Sequence, residues 1–304
     1  MSPVPLGAML VLSTGIADGP PRPVGDFGGR WVGGSEIRVF DTSVPAIHRI
    51  DRGTLGTTVL PLTGSDSALD PYGMALPGDG TVWVLGDRGR IVHRFSEATG
   101  EHVEKRRLPE PSQGILTLWR QAGFFAVRLR PGEPLLLRAM DGGLRPFSPL
   151  LSRSASDVTE LLIANLIRCG SGTRRALPCW FTAGEPEVLL LDRNGALRRL
   201  PVPSFVTPPA ASRPKHAPGS EFTFPVRDAF LLESGALWVL ANQEGDRTPL
   251  EEGSVRGRHA ALVRPGRPQR VVALPSEARA ILDATEQSLV VLLADGVVAR
   301  VAAR

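Results

Sequence analysis

The side chains that could take part in chemistry are scattered along the chain, and no known catalytic constellation joins them. The chain holds five histidines and a single tyrosine. His216, Ser220 and Asp228 lie near one another in sequence, but no G-x-S-x-G elbow surrounds the serine. These residues therefore do not predict a nucleophile and its base.

Oxygen-bearing side chains in one region form a candidate metal site. Calcium and magnesium ions prefer oxygen ligands, and the region supplies Asp228, Asn242, Glu244, Asp246 and Glu251. Their spacing does not match an EF-hand loop, and acidic residues are also common in turns because they bond to nearby backbone. We therefore expect no obligatory cofactor, with calcium or magnesium as the candidates if one binds.

Two cysteines, Cys169 and Cys179, lie in the segment RCGSGTRRALPCW. The residues between them suit a hairpin loop, and adjacent antiparallel strands can bring two sulfurs within bonding range. A bonded pair indicates an oxidising compartment, periplasmic or secreted. The alternative is two buried thiols that pack as small hydrophobic residues in a cytoplasmic protein.

The chain is basic, but its charges do not indicate a nucleic-acid surface. The net charge is +4 and the pI is about 9.8. Nucleic-acid binders concentrate charge on one face, whereas the arginines here are dispersed. The densest groups, Lys105–Arg107 and Arg198–Arg199, fall in predicted outer strands, where charge blocks edge pairing. No apolar run is long enough to span a bilayer, so we expect neither a nucleic-acid partner nor a membrane span.

The elements that must position these residues recur along the chain. Six segments each contain an apolar strand, a turn, a second strongly apolar strand, a small or acidic turn and a third strand. The second strands are EIRVFDT, TVWVLGD, GFFAVRL, PCWFTAG, ALWVLAN and SLVVLLAD. Aligned at intervals of about 42–58 residues, they place bulky residues in one column. The column consists of Val39, Trp83, Phe125, Trp180, Trp238 and Val291.

This recurrence predicts an all-β chain folded as one β-propeller. Turns such as Asn194–Gly195 and Asp295–Gly296 supply the positive φ angles of tight hairpins. We expect six four-stranded blades, with seven as the alternative, in a single domain over residues 1–304. A large ring fills the space between wedge-shaped blades, so the tryptophans of the column are interpreted as packing residues.

The two ends of the chain are predicted to close the ring. The last repeat supplies three strands, ARAILDAT, SLVVLLAD and VVARVAAR, and lacks a fourth. The apolar run LGAMLVLST near the start has no partner of its own, so pairing the two would cover exposed sheet edges. The alternative is a signal peptide, although the run lacks a basic n-region and a clear A-x-A site.

One repeat carries a family resemblance. Asp70–Leu108 contains Tyr72–Gly73, Asp79–Gly80, Val82–Val84, Gly89–Ile91 and Ala98–Gly100 in that order. It resembles the repeat of the NHL and streptogramin lyase-like propellers, with partial matches at Arg227–Leu240 and Asp283–Val301. The resemblance implies a propeller fold. Streptogramin lyases are seven-bladed and use histidines, a glutamate and magnesium, whereas the histidines here occupy scattered positions of the repeat.

Fold analogy assigns the ligand-binding face of such a propeller. In propellers, the loops from second to third strands and the loops between blades share one face, and ligands usually bind there. Here these loops carry charged and polar side chains. The candidates are Asp41, Asp87, Arg88, Glu185, Arg227, Asp228, Asn242, Glu244, Asp246 and Asp295.

Two loops on this face, Val206–Glu221 and Gln243–Arg258, are longer than the repeat requires. Long loops on a rigid scaffold are either functional or disordered. Our hypothesis is a monomeric, non-catalytic binding or scaffold propeller that engages a protein, peptide or small ligand on the long-loop face. The alternative is a metal-dependent hydrolase, lactonase or lyase with acidic residues at the mouth of the central channel.

Overall fold

Antiparallel β-strands make up the fold. The computed structural model describes residues 23–64, 73–76, 79–87, 89–108, 116–119, 122–127, 136–139, 144–146, 167–173, 175–181, 187–192, 196–202, 226–241, 257–264 and 266–303. Within these ranges the chain forms 22 strands and no helix. The described ranges accordingly hold no helix with the length and apolar character needed to cross a membrane.

Four sheets contain four strands each, and every strand pairs with the next one along the chain. The first sheet comprises β1 (Phe27–Gly33), β2 (Glu36–Asp41), β3 (Ala46–Asp51) and β4 (Thr57–Pro61). The second comprises β5 (Gly73–Ala75), β6 (Thr81–Gly86), β7 (Ile91–Ser96) and β8 (His102–Arg107). The third comprises β9 (Leu116–Trp119), β10 (Ala122–Val127), β11 (Leu136–Ala139) and β12 (Leu144–Pro146). The fourth comprises β13 (Ile167–Cys169), β14 (Ala176–Phe181), β15 (Glu187–Asp192) and β16 (Leu197–Pro201).

The fifth sheet has six strands. They are β17 (Val226–Leu231), β18 (Leu237–Ala241), β19 (Gly257–Val263), β20 (Arg270–Ala284), β21 (Ser288–Leu293) and β22 (Val298–Ala302). The 15-residue strand β20 joins two groups of strands. Its first part pairs with β19, and its second part, from Ala278 onward, pairs with β21. The register shifts where the two parts meet, as expected at a bulge that bends a strand.

The first strands of the sheets lie side by side and give the molecule a propeller-like arrangement. β1 contacts β5, β5 contacts β9, and β1 also contacts β20. A parallel bridge between Ser171, just after β13, and Phe230 on β17 shows that these two first strands run in the same direction. The all-β propeller-like arrangement predicted from the repeats is therefore confirmed. The count of six blades stays a prediction, and the apolar run proposed to close the ring lies outside the described residues.

Burial decreases from the second strand of a sheet to the last. β6 alternates between buried and half-buried positions before its end, whereas every residue of β8 after His102 is exposed. β8 carries the basic residues Lys105–Arg107, so this charge lies on an outer strand. Charged side chains on an outer strand disfavour pairing with another chain.

The column of bulky residues on the second strands is largely buried. Val39, Trp238 and Val291 are fully buried, and Trp180 is 2% exposed. Trp238 also donates a hydrogen bond from Nε1 to the carbonyl oxygen of Thr285 at 2.7 Å. Trp83 is half-buried, and the side chain of Phe125 lies outside the described residues. The described tryptophans therefore pack against neighbouring strands, as large rings between sheets are expected to do.

Gly296, in the turn between β21 and β22, is required by both conformation and space. Its φ of 83° lies in the left-handed region, which favours glycine. A Cβ atom there would meet the carbonyl oxygen of Val24 at 2.4 Å. The amide of Val24 in turn donates to the Gly296 carbonyl at 3.2 Å. The segment that leads into β1 therefore rests directly on the last turn of the chain.

Candidate functional site

The structure describes half of the side chains predicted for the ligand-binding face. Asp41, Asp87, Arg227, Asp228 and Asp295 lie in the described ranges. The other candidates lie outside them, and these are Arg88, Glu185, Asn242, Glu244 and Asp246. The site is therefore built below from the described residues.

Asp41, at the end of β2, is buried and its carboxylate accepts several hydrogen bonds. Oδ1 accepts from the amides of Asp26 (3.1 Å) and Ser43 (2.9 Å) and from the Ser43 hydroxyl (2.6 Å). Oδ2 accepts from the amide of Gly25 (2.7 Å) and lies 3.4 Å from Nε2 of His48. Burial alone would raise the pKa of this carboxyl, but the bonds from His48, Ser43 and the two amides hold it well below its usual value. Asp41 thus fastens the β2–β3 turn to the segment before β1.

The turn that carries Asp295 contacts the same segment. Arg279 on β20 donates to the carbonyl oxygens of Gly25 and Ala294 and lies 3.7 Å from the carboxylate of Asp26. Asp295 is exposed, and its Oδ1 accepts from the amide of Val297 at 3.0 Å. The structure therefore brings the turns of Asp41 and Asp295 together through residues 24–26.

Asp87 lies in the turn between β6 and β7 and is exposed. Its φ is 48°, a left-handed value that aspartate adopts more readily than most residues. The carbonyl oxygen of Asp87 accepts from the amide of Arg90 at 3.1 Å. The left-handed conformation of this turn therefore accounts for an aspartate at position 87.

Asp228 forms a buried ion pair that joins several first strands. Nη1 of Arg30 on β1 lies 2.6 Å from Oδ2 of Asp228 on β17, and both side chains are about 95% buried. Arg30 also donates to the hydroxyl of Ser171 (3.0 Å) and to the carbonyl of Ala229 (3.0 Å). Asp228 accepts from the amides of Ile281 (2.7 Å) and Ala229 (2.9 Å). One carboxylate and one guanidinium therefore connect β1, β17, β20 and the residues that follow β13.

A bulge at the start of β17 positions Arg227 and Asp228. Val226 pairs with Ala241 and Asp228 with Leu240, so Arg227 is the extra residue of the bulge. Both charged side chains are buried. Burial raises the pKa of the Asp228 carboxyl, although the Arg30 guanidinium and the two amides oppose the rise.

The two long segments are attached to the sheets at one end. Val226 begins β17 after the Val206–Glu221 segment, and Ala241 ends β18 before the Gln243–Arg258 segment. Val226 pairs with Ala241, and Ala241 pairs with His259 on β19. The described anchors of both segments are thus direct neighbours, although the segments themselves lie outside the described residues apart from Gly257–Arg258.

Sequence reasoning missed Arg30, Arg168 and Ser171. Arg168 is the middle residue of β13 and its side chain is exposed. One signal was present in the sequence, because Arg30 is the one charged residue of the otherwise uncharged strand FGGRWVG.

Cys169 and Cys179 form a disulfide between two strands in register. The residues are direct partners on β13 and β14, and their sulfur atoms are bonded. Arg168 pairs with Trp180 in the same ladder. The bond therefore fixes the strand that presents Arg168.

No group of three or more histidine, cysteine, aspartate or glutamate side chains suited to holding a metal ion occurs within the described ranges. Four of the five oxygen donors named from the sequence, all except Asp228, lie outside those ranges. A calcium or magnesium site formed by them stays a prediction.

Comparison with known proteins gives a likeness of fold. No family model matches the chain, and no curated protein matches it. A protein from Bacteroides fragilis NCTC 9343 superposes with a TM-score of 0.57 at 7% identity, covering 94% of this chain and 84% of that one. Virginiamycin B lyase from Staphylococcus aureus, crystallised with quinupristin, gives 0.49 at 13% identity, covering 91% and 84%. The Cps50 (Swd1) β-propeller domain from Myceliophteria thermophila gives 0.48 at 12% identity, covering 92% and 98%. The sheet topology, with this likeness of fold, identifies the chain as an all-β protein of the β-propeller type.

Proposed function

We propose that this chain is a non-catalytic binding propeller that engages a protein, peptide or small ligand on the face where its two long segments are attached. The observation that carries the proposal is that the carboxylates of Asp41 and Asp228 are engaged in hydrogen bonds within the scaffold. Both were candidates for acidic chemistry at the channel mouth, yet their oxygens accept hydrogen bonds that join strands and turns. A carboxylate engaged in this way serves the scaffold rather than a substrate or a metal ion.

The placement of the two long segments supports the same reading. Their described anchors, Val226 and Ala241, are paired residues. Loops that leave a rigid scaffold side by side can form one binding surface. The segments would then contact a ligand while the buried Arg30–Asp228 pair holds the strands beneath them.

The scaffold that we propose has six blades, with β20 shared by the last two. Its first part would complete a blade with β17, β18 and β19, and its second part would begin a blade with β21 and β22. That last blade has three described strands, and Val24 already lies against its β21–β22 turn. We propose that the chain preceding residue 23 adds a fourth strand beside β22 and closes the ring, and the contact of Val24 supports this.

We further propose that the protein acts as a monomer in an oxidising compartment. The Cys169–Cys179 bond supports this placement, because structural disulfides persist outside the reducing cytosol. Mass spectrometry of native material under non-reducing conditions tests it. Free thiols at both positions would contradict it.

A matched pair of segment replacements tests the binding function. One variant replaces residues 243–256 with a short Gly-Ser linker, and the control replaces the exposed turn 267–269 at the opposite end of the same sheet. Wild-type protein is screened against a random peptide library and a panel of small metabolites, and hits are measured by calorimetry. We expect the first variant to lose at least about tenfold in affinity, or 1.4 kcal/mol, and the control to bind normally. Melting temperatures should stay close to that of the wild type.

The same preparations distinguish the metal-dependent enzyme. Calorimetry with millimolar calcium and magnesium chloride, followed by assays on ester and lactone substrates, should give neither saturable heat nor turnover. Metal-dependent turnover, or hits that bind the first variant as well as the wild type, would overturn the proposal.

A further inference from the structure

Two histidines on neighbouring strands of the second sheet face each other. Nδ1 of His93 on β7 lies 3.4 Å from Nε2 of His102 on β8, and the ring centroids are 5.5 Å apart. His93 is buried, whereas His102 is half-buried. The two nitrogens are therefore approached from solvent on the side of His102.

A bulge in β8 directs His102 to this position. Arg94 pairs with Glu104 and Phe95 pairs with His102, so Val103 is the extra residue. Without the bulge, His102 would move by one place in the ladder and its side chain would project from the opposite face of the sheet. Bulges commonly re-aim a side chain in this way next to functional sites. The bulge thus brings the two imidazoles to one face.

The rings and the backbone around them are held in place. Phe95 stacks on His93 at 6.3 Å between centroids and meets His102 edge-on at 5.3 Å. The amide of His102 donates to the carbonyl oxygen of Thr63 at 2.9 Å, and the amide of Thr63 donates to the carbonyl oxygen of Gly100 at 2.9 Å. Groups that are fixed before binding lose little conformational freedom when a ligand arrives.

The separation of the two nitrogens fits a shared metal ion. A tetrahedral zinc ion with Zn–N bonds of about 2.0–2.1 Å holds two nitrogens about 3.3–3.4 Å apart. The distance of 3.4 Å between His93 and His102 matches this value. It is longer than the range of about 2.7–3.2 Å that is usual for hydrogen bonds donated by N–H groups. Imidazole nitrogen also suits zinc, copper and nickel, whereas calcium and magnesium prefer oxygen.

We infer that His93 and His102 bind one zinc ion, which links β7 to β8. Water molecules complete the coordination, since tetrahedral zinc takes four ligands. Lys105 lies directly opposite His93 in the ladder and brings a positive charge near the ion. The affinity is therefore lower than that of a structural zinc site with four protein ligands.

The zinc site is separate from the proposed ligand-binding face. His102 follows the β7–β8 turn, whereas Asp87 lies in the β6–β7 turn at the other end of β7. The inference thus goes beyond the proposed binding function, and neither depends on the other.

Titration with zinc chloride tests the site on the whole protein, after treatment with EDTA and removal of the chelator. Binding is measured by calorimetry and by the nitrogen resonances of the histidine side chains. We expect saturable binding that shifts the Nδ1 resonance of His93 and the Nε2 resonance of His102. Magnesium chloride at the same concentrations should shift neither resonance.

Substitutions assign the binding to the pair. H93Q and H102Q should each lose saturable zinc binding, because each leaves a single imidazole. H259Q is the matched control and should bind zinc as the wild type does, since His259 is a half-buried histidine on β19, the third strand of its own sheet as β7 is.

Thermal unfolding gives a second measurement. Zinc should raise the melting temperature of the wild type and of H259Q but not that of H102Q, because a ligand stabilises the folded state only where it binds. Backbone amide spectra of H102Q that overlay those of the wild type exclude a change of fold, and H102Q alone decides if H93Q does not fold.

Three results would overturn the inference. Zinc binding by the wild type could fail to saturate, H102Q could bind zinc as tightly as the wild type, or zinc could shift only the resonances of other histidines.

Discussion

The guanidinium of Arg30 and the carboxylate of Asp228 lie 2.6 Å apart, although 198 residues separate them in the chain. Both side chains are almost completely buried. Removing one partner of a buried pair leaves the other charge uncompensated, which destabilises a protein by about 3–5 kcal/mol. The pair therefore makes the contact of β1 with β17 and β20 depend on two residues that are far apart in the chain.

Asp228→Asn tests this dependence with little change in shape. We expect the free energy of unfolding to fall by about 3–5 kcal/mol, measured by urea titration with tryptophan fluorescence. The control is Glu104→Gln, which breaks the exposed Arg94–Glu104 pair and should change stability by less than about 1 kcal/mol. Equal small effects of the two substitutions would contradict a structural role for the buried pair.

Removal of the disulfide should destabilise the protein without unfolding it. The bond closes a loop across a sequence separation of 10 residues. Loops of this length give about 2–4 kcal/mol through restriction of the unfolded chain. The double variant Cys169→Ser and Cys179→Ser, compared with wild-type protein in urea, measures the difference. Addition of dithiothreitol should lower the free energy of unfolding of the wild type to that of the variant and leave the value of the variant unchanged.

His93 should make the stability of the fold depend on pH. It is 2% exposed on β7, and its Nδ1 lies 3.4 Å from Nε2 of His102. Burial lowers the pKa of His93 first, His102 and Lys105 lower it further, and Asp87 opposes them. The unfolded chain, with a pKa near 6.5, therefore binds a proton at a higher pH than the folded chain does.

Neutral His93 therefore contributes fully to the free energy of unfolding above about pH 6.5. This contribution is lost as the pH falls toward the lower pKa of His93 in the folded chain. The slope cannot exceed about 1.4 kcal/mol per pH unit for one proton. Urea titrations of the wild type and His93→Gln at pH 7.5, 6.5 and 5.5 measure it. The difference between the two proteins should shift in favour of the variant as the pH falls, and a constant difference would refute the prediction.

Trp238 should be among the most sensitive packing positions. It is fully buried, and its indole N–H donates to the Thr285 carbonyl. Trp238→Ala should lower the free energy of unfolding by about 3–5 kcal/mol because it leaves a large cavity. Trp238→Phe should cost less, since most of the ring volume remains. Val271→Ala serves as the control, because this residue is 45% exposed. Its free energy of unfolding should stay within about 0.5 kcal/mol of the wild-type value.

The repeat pattern predicted the scaffold because strands and turns leave a local signature. Alternating apolar residues and glycine turns are properties of neighbouring positions, so Trp238 and Gly296 could be interpreted without knowledge of the fold. The same holds for the cysteines, since two residues on adjacent strands of a hairpin can meet through local geometry.

The pairing of the charged groups could not be predicted in this way. Arg30 becomes important through Asp228, and nothing in either local sequence specifies the other. Asp41 was expected to face a ligand because it lies in a turn, yet its neighbours turn their amides toward it.

The long strand β20 has a consequence for how the molecule comes apart. Its halves serve different neighbours, β19 and β21, without an intervening loop. Because the backbone continues from one group of strands to the other, release of β20 from β19 removes support from the start of its pairing with β21. We therefore expect the amides of β19 and β21 to exchange hydrogen at similar rates, as members of one cooperative unit.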